Sequence, residues 1–159
     1  LGDLFVFIFF GLAAVVGTYY VQALVVAPHV WLAALPPGFL ITAILVVNNL
    51  RDIETDAAVG KRTLAVRLGA RATRWQYSLL LVGAYLVPLA LLVSGAAQAE
   101  RIWPSLLLLL PWLTLPRAWA LRRVIYAGGD GMIMNRALAG TAQLGLLFSL
   151  LFAVALAFQ

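Results

Sequence analysis

The sequence predicts an all-α integral membrane protein of about five transmembrane helices, and three observations carry that reading. First, 64% of its 159 residues are hydrophobic and only 11% are charged, against roughly half and about a quarter in soluble domains. Second, the apolar residues come in unbroken runs, which meet the ~20 residues needed to cross a bilayer core of ~30 Å. Third, the basic residues are sided. Ten of the eleven lysines and arginines fall in alternate loops, with Arg101 alone on the other side, an asymmetry that marks cytoplasmic loops. The length suits one helical bundle, expected as a single domain. Cysteine is absent, which excludes disulfides and thiolate metal sites.

The first span is expected at 4–26, ending before Pro28, with Tyr19, Tyr20 and Gln22 near its far end. The second, 36–49, opens at Pro36-Pro37, because proline suits the first turn of a helix. The third covers 75–94, with Pro88 as a kink. The fourth is set at 102–120. Its apolar part, Ile102 to Pro116, would give only ~22 Å of helix at ~1.5 Å per residue, so the span is expected to pass Arg117, whose side chain snorkels to the interface. The fifth covers 137–158. Trp31, Trp75, Trp103 and Trp119 lie near span ends, where an interfacial aromatic belt belongs.

This topology describes a multi-pass protein of the plasma membrane. Its N-terminus and its 50–74 and 117–136 loops face the cytoplasm, and the C-terminus lies on the far side. The net charge of +5 comes from juxtamembrane residues, which anionic headgroups account for without nucleic acid. Residues 128–131 read as a turn and not as a phosphate loop, since no strand precedes them.

Asp3, Glu100 and Asp130 sit at loop ends and look like solvated charges, whereas Asp52, Glu54 and Asp56 crowd one stretch between Asn48 and Leu64. Asp52 and Asp56 are four apart, so they share a face if the helix continues, with Asn48 one turn earlier and Glu54 pointing elsewhere. Two carboxylates and an amide at a membrane surface suit Mg²⁺, which is held by one or two carboxylates plus substrate phosphates. Lys61 and Arg62 follow Gly60, which breaks the helix, and can fold back as phosphate partners. The spacing equally allows a polar loop in which the acids and bases pair with one another.

The stretch Asn48-Asn49-Leu50-Arg51-Asp52, then Asp56, then Gly60-Lys61-Arg62-Thr63-Leu64-Ala65-Val66-Arg67-Leu68-Gly69 resembles the second aspartate motif of UbiA-type membrane prenyltransferases. The likeness is nearest to the branch acting on 1,4-dihydroxy-2-naphthoate in menaquinone synthesis. Gly17-Thr18-Tyr19-Tyr20 and the tail from Asn135 through Gln143 to Phe148 are similar to that branch too. The resemblance implies a nine-helix bundle in which two aspartate motifs hold Mg²⁺ and a polyprenyl diphosphate, and a prenyl chain passes to an aromatic acceptor. It makes Asp52 and Asp56 metal ligands, and Lys61 and Arg62 diphosphate contacts, with Asn48 and Asn49 supporting the site. Arg51 is a diphosphate contact or an internal partner of the acids. Tyr19 and Tyr20 line the prenyl or acceptor pocket or anchor at the interface. No second acidic cluster occurs in this sequence, so the chain is expected to be the C-terminal half of the enzyme, inactive without a missing N-terminal half.

Within the same family the alternative acceptors are 4-hydroxybenzoate, homogentisate or a porphyrin, and a non-catalytic membrane assembly subunit is a further alternative. A CDP-alcohol phosphotransferase would need Asp-Gly and Ala-Arg ahead of its spaced aspartates, and neither precedes this pair. Transporters bury ionisable groups within their spans, and the five expected spans carry none in their interiors.

Overall fold

The computed structural model describes residues 1–96 and 105–158, all of whose regular elements are helices. Helix α1 covers Gly2–Ala23, α2 Pro28–Arg51, and α3 Ile53–Ala58. Helix α4 covers Leu64–Ala96, a 3₁₀ segment Leu107–Thr114 leads into α5, Leu115–Ala127, and α6 covers Gly131–Ala157. Among the described residues, four helices are long and apolar enough to cross a membrane: Gly2–Ala23, Pro28–Arg51, Leu64–Ser94 and Gly131–Ala157. The expected fourth span at 102–120 starts outside the described residues, as do Glu100, Arg101 and Trp103. Its described part is the 3₁₀ segment containing Pro111, followed by α5.

Helix α2 is the centre of the bundle. It begins at Pro28, which occupies the first turn, eight residues ahead of the expected start. Pro36 and Pro37 therefore lie inside the helix, where they remove two backbone donors. Thr42 Oγ1 donates to the Gly38 carbonyl at 2.7 Å, one turn back along the helix. Leu40, Val46 and Val47 of α2 are fully buried against Tyr77 of α4, Ile125 of α5 and Leu144 and Phe148 of α6. Interhelical hydroxyl pairs tie this core together: Tyr77 Oη with Thr141 Oγ1 at 3.1 Å, and Tyr85 Oη with Thr114 Oγ1 at 2.6 Å. In a bilayer such pairs add directional hold where lipid and core are equally apolar.

Helix α1 meets α2 at a glycine pair. A Cβ on Gly11 would stand 2.5 Å from the Cα of Gly38, so the two backbones touch. Phe7 stacks on Phe39 at 5.2 Å beside them. Residues Phe7–Ala13 at this seam are π-helical. The helix ends at Ala23, three residues short of the expected end, with Leu24 after it at a left-handed φ of 56°. Most of the remaining α1 surface is exposed.

The third expected span is longer than its apolar run. Thr63 Oγ1 accepts from Val66 N at 3.2 Å and caps the start of α4, whose short first stretch is separated from the longer one by the non-helical Gly69, φ 80° and ψ 166°. Most of the expected 50–74 loop is thus helical, and only 59–63 joins α3 to α4. Asp130, read from sequence as a solvated charge, caps α6 by accepting from Ile133 N at 2.8 Å.

Candidate functional site

The end of α2 gathers most of the chain's chemistry. After Arg51 the backbone bends at Asp52 (φ −97°, ψ 12°), yet the helical hydrogen bonds continue through it. Asp52 N donates to the Asn48 carbonyl at 3.1 Å and Asp56 N to the Asp52 carbonyl at 2.8 Å. The apolar run of α2 stops here and the next turn carries the charges, so the membrane-facing helix ends in a polar cap.

Arg51 is the hub of that cap. Its Nε and Nη2 donate to the two oxygens of Asp52 at 2.7 and 2.6 Å, Nη2 also reaches Asn48 Oδ1 at 3.0 Å, and Nη1 reaches Asn135 Oδ1 of α6 at 2.6 Å. Only a planar guanidinium serves three acceptor groups in this way. The hydrogen bond from Arg51, assisted by its charge and that of Lys61, holds the Asp52 carboxyl below the usual carboxylate range against the opposing effect of burial.

Asp56 is the buried acid, 7% exposed. Its Oδ1 accepts from Lys61 Nζ at 3.0 Å, while its Oδ2 is buried and has no hydrogen-bond partner. Lys61 reaches back because α3 ends in a Schellman turn: Gly60 N donates to the Ala57 carbonyl and Lys61 N to the Asp56 carbonyl, with Gly60 at φ 74°. The glycine that the sequence offers as a helix breaker is therefore the residue that returns the ammonium to the carboxylate. Arg62 lies exposed beyond the turn, without a hydrogen bond or ion pair among the described residues. Glu54 is exposed, as expected.

Asn49 is buried and points to the other side of α2, where its Nδ2 donates to Asp3 Oδ1 at 3.3 Å. Gln76 Nε2 of α4 donates to Asp3 Oδ2 at 2.7 Å. Asp3 is thus not a solvated charge but a half-buried bracket joining α1, α2 and α4. The sequence held the signal: sidedness already put the N-terminus on the same face as the 50–74 segment. Tyr19 and Tyr20 are exposed near the far end of α1, some 16 residues or ~24 Å along the helix from Asp3, and the fold does not bring them to the acids. His29 is exposed in the first turn of α2.

A groove of about 300 Å³ opens next to the cap, with Asn48 as its polar lining and Val6, Phe10, Ile41, Ile44, Leu45 and Leu138 as its walls. Among the described residues no three His, Cys, Asp or Glu side chains gather to hold a metal. A closed all-protein cage is therefore not what these residues build. The two carboxylates lie one helical turn apart, one of them with an orphaned buried oxygen.

Fold and site together define a helical membrane protein with an acidic–basic cap at the end of its central helix. The chain belongs to the UbiA prenyltransferase family, whose model matches residues 1–134. It is 39% identical over 156 residues to the 1,4-dihydroxy-2-naphthoate octaprenyltransferase of Haemophilus influenzae, covering 98% of this chain and 48% of that protein. The protein of the same name from Escherichia coli K12 is 40% identical over 152 residues, 96% of this chain and 47% of its own length. Human UbiA prenyltransferase domain-containing protein 1 is 34% identical over 154 residues, 96% of this chain and 41% of its own. The chain spans about half the length of the curated relatives it matches. No solved structure matches it.

Proposed function

We propose that this chain contributes the second metal- and diphosphate-binding half of a Mg²⁺-dependent prenyltransferase that moves a polyprenyl group from its diphosphate to 1,4-dihydroxy-2-naphthoate. The observation that carries the reading is Asp56. A buried carboxylate oxygen without a donor is costly, and a metal ion would satisfy it while Lys61 keeps the other oxygen. Support also comes from the two naphthoate-prenylating relatives, each about 40% identical over nearly the whole chain.

In this reading Asp56 and Asp52 hold the ion, which when bound supplies positive charge to the leaving diphosphate. Lys61 and Arg62 bind the phosphate oxygens, and Arg62 is exposed and unpaired for that purpose. Arg51 orients Asp52 and fixes Asn48 and Asn135 around it. The groove above Asn48 takes the first part of the prenyl chain, since its remaining lining is apolar. Both oxygens of Asp52 are already engaged by Arg51, so Asp52 shares its second lone pairs with the ion or releases Arg51 to the diphosphate. The cap and the 117–136 segment face the cytoplasm of a plasma-membrane protein. The chain spans about half the length of those relatives, and in this reading it is inactive alone.

The test uses membranes holding the chain alone or joined to the upstream part of the longer protein. These are given labelled polyprenyl diphosphate and 1,4-dihydroxy-2-naphthoate, with Mg²⁺ or chelator. Product from the joined protein only, abolished by chelator and lowered at least ~100-fold by Asp56→Asn, is the expected result. Near-normal turnover of Asp56→Asn in saturating Mg²⁺ refutes its role as a ligand. No product with any aromatic acceptor refutes the function.

A further inference from the structure

A second and larger groove, of about 780 Å³, runs between α4 and the segment of the 3₁₀ turn and α5. It shares no residue with the Asp52–Asp56 cap. Trp75, Val82 and Leu86 of α4 form one wall and Trp112 and Trp119 the other, all of them exposed. Arg122 closes its end. Arg122 Nε donates to Ser78 Oγ at 3.0 Å, and its guanidinium carbon lies 4.4 Å from the ring centre of Tyr126 and 5.3 Å from that of Trp119. These contacts fix the guanidinium in place and leave its charge unmatched. Among the described residues Arg122 has no carboxylate partner, and its two Nη nitrogens have no acceptor.

We infer that this groove binds one chain of an anionic phospholipid of the adjoining leaflet, with its phosphate on Arg122. The length supports it. Trp75 to Leu86 is a rise of about eleven residue steps, ~16 Å of helix, which matches one leaflet of a ~30 Å hydrocarbon core. The polarity supports it too, because the cation and the Trp75 and Trp119 rings lie together at one end, where headgroups and interfacial tryptophans belong, and the walls beyond are apolar. A guanidinium binds a phosphate in bidentate fashion, and the free Nη pair is the donor set required. Arg123 also lies over the Trp119 ring, 5.7 Å from its centre. Helix α1, which has the least covered surface of the four long helices, takes no part in the groove.

The test is native mass spectrometry of the detergent-purified chain and of the longer protein, each offered equimolar phosphatidylglycerol and phosphatidylcholine. Wild type is expected to retain phosphatidylglycerol in about fivefold preference, as one juxtamembrane Arg provides. Arg122→Gln should remove the preference while keeping lipid adducts, and Val82→Trp or Leu86→Trp, each filling an exposed wall, should remove the adduct. Arg136→Gln, an exposed cation on α6, should change nothing. Circular dichroism verifies that each variant is folded. Equal retention of the two lipids by wild type, or an unchanged preference in Arg122→Gln, overturns the inference. Displacement of the lipid by geranylgeranyl diphosphate also overturns it, since the groove is then a substrate site. Loss of the adduct in the longer protein only means that protein covers the groove, and overturns it as well.

Discussion

Two glycines six residues apart on α1 should respond to the same substitution with opposite sign. At Gly11 the added Cβ would lie 2.5 Å from Gly38 Cα and 3.3 Å from Gly38 N. Both are backbone atoms, so no rotamer change relieves the clash, and carbon–carbon contacts of ~3.5–4.0 Å require the helices to part by at least ~1 Å. That movement also unstacks Phe7 from Phe39, and Asp3, on the same helix, shifts away from Asn49 and Gln76. Overpacking of this kind costs about 1–3 kcal/mol. At Gly17 nothing lies within 4 Å, so Ala there gains only the helix preference over Gly, about 0.5–1 kcal/mol. The preference is common to both sites, and the difference between the two variants therefore isolates the clash at about 2 kcal/mol. For a chain of this size that separates the melting temperatures by about 4–8 °C. Thermal unfolding of the 159-residue chain in detergent, followed by circular dichroism, measures it. Gly11→Ala melting at or above Gly17→Ala would refute the glycine seam as the hold between α1 and α2.

Two further outcomes follow from the cap. Asp3→Ala strips the acceptor from the Asn49 and Gln76 amides and should destabilise the chain by about 1–3 kcal/mol, with hydrogen exchange rising first in residues 2–23; unchanged exchange there would show that the bracket is not a structural tie. Gly60→Ala meets open space but must hold φ 74°, a left-handed conformation costing about 1–2 kcal/mol. It should loosen Lys61 from Asp56 and lower turnover of the longer protein, while Gly60→Asn keeps most of both, as thermal unfolding and product formation would register.

Membrane class was legible because a bilayer imposes length and apolarity directly on the chain: the long runs in 4–26, 75–94 and 137–158 became α1, α4 and α6 with shifted ends. The ends moved for local reasons. Thr63 capped a short helical stretch ahead of Gly69, and burial of α2 on the other helices accompanied its passage through the two prolines taken as its start. The acidic motif was legible as well, since Asn48, Arg51, Asp52, Asp56, Gly60 and Lys61 are close in sequence and a helical spacing converts directly into a face. Which atoms meet there was not. Arg51 takes both oxygens of Asp52, Lys61 takes one of Asp56, and Asn135 and Asp3 enter from 84 and 46 residues away. By itself, then, the sequence determined that the chain lies in a membrane and where its acidic and basic residues cluster, because those properties depend on local composition and spacing. Only the tertiary structure decided how the charges are paired, where α1 docks, and that Arg122, bonded to Ser78, has no carboxylate partner among the described residues at the end of an apolar groove, because each depends on helices distant in sequence coming into contact.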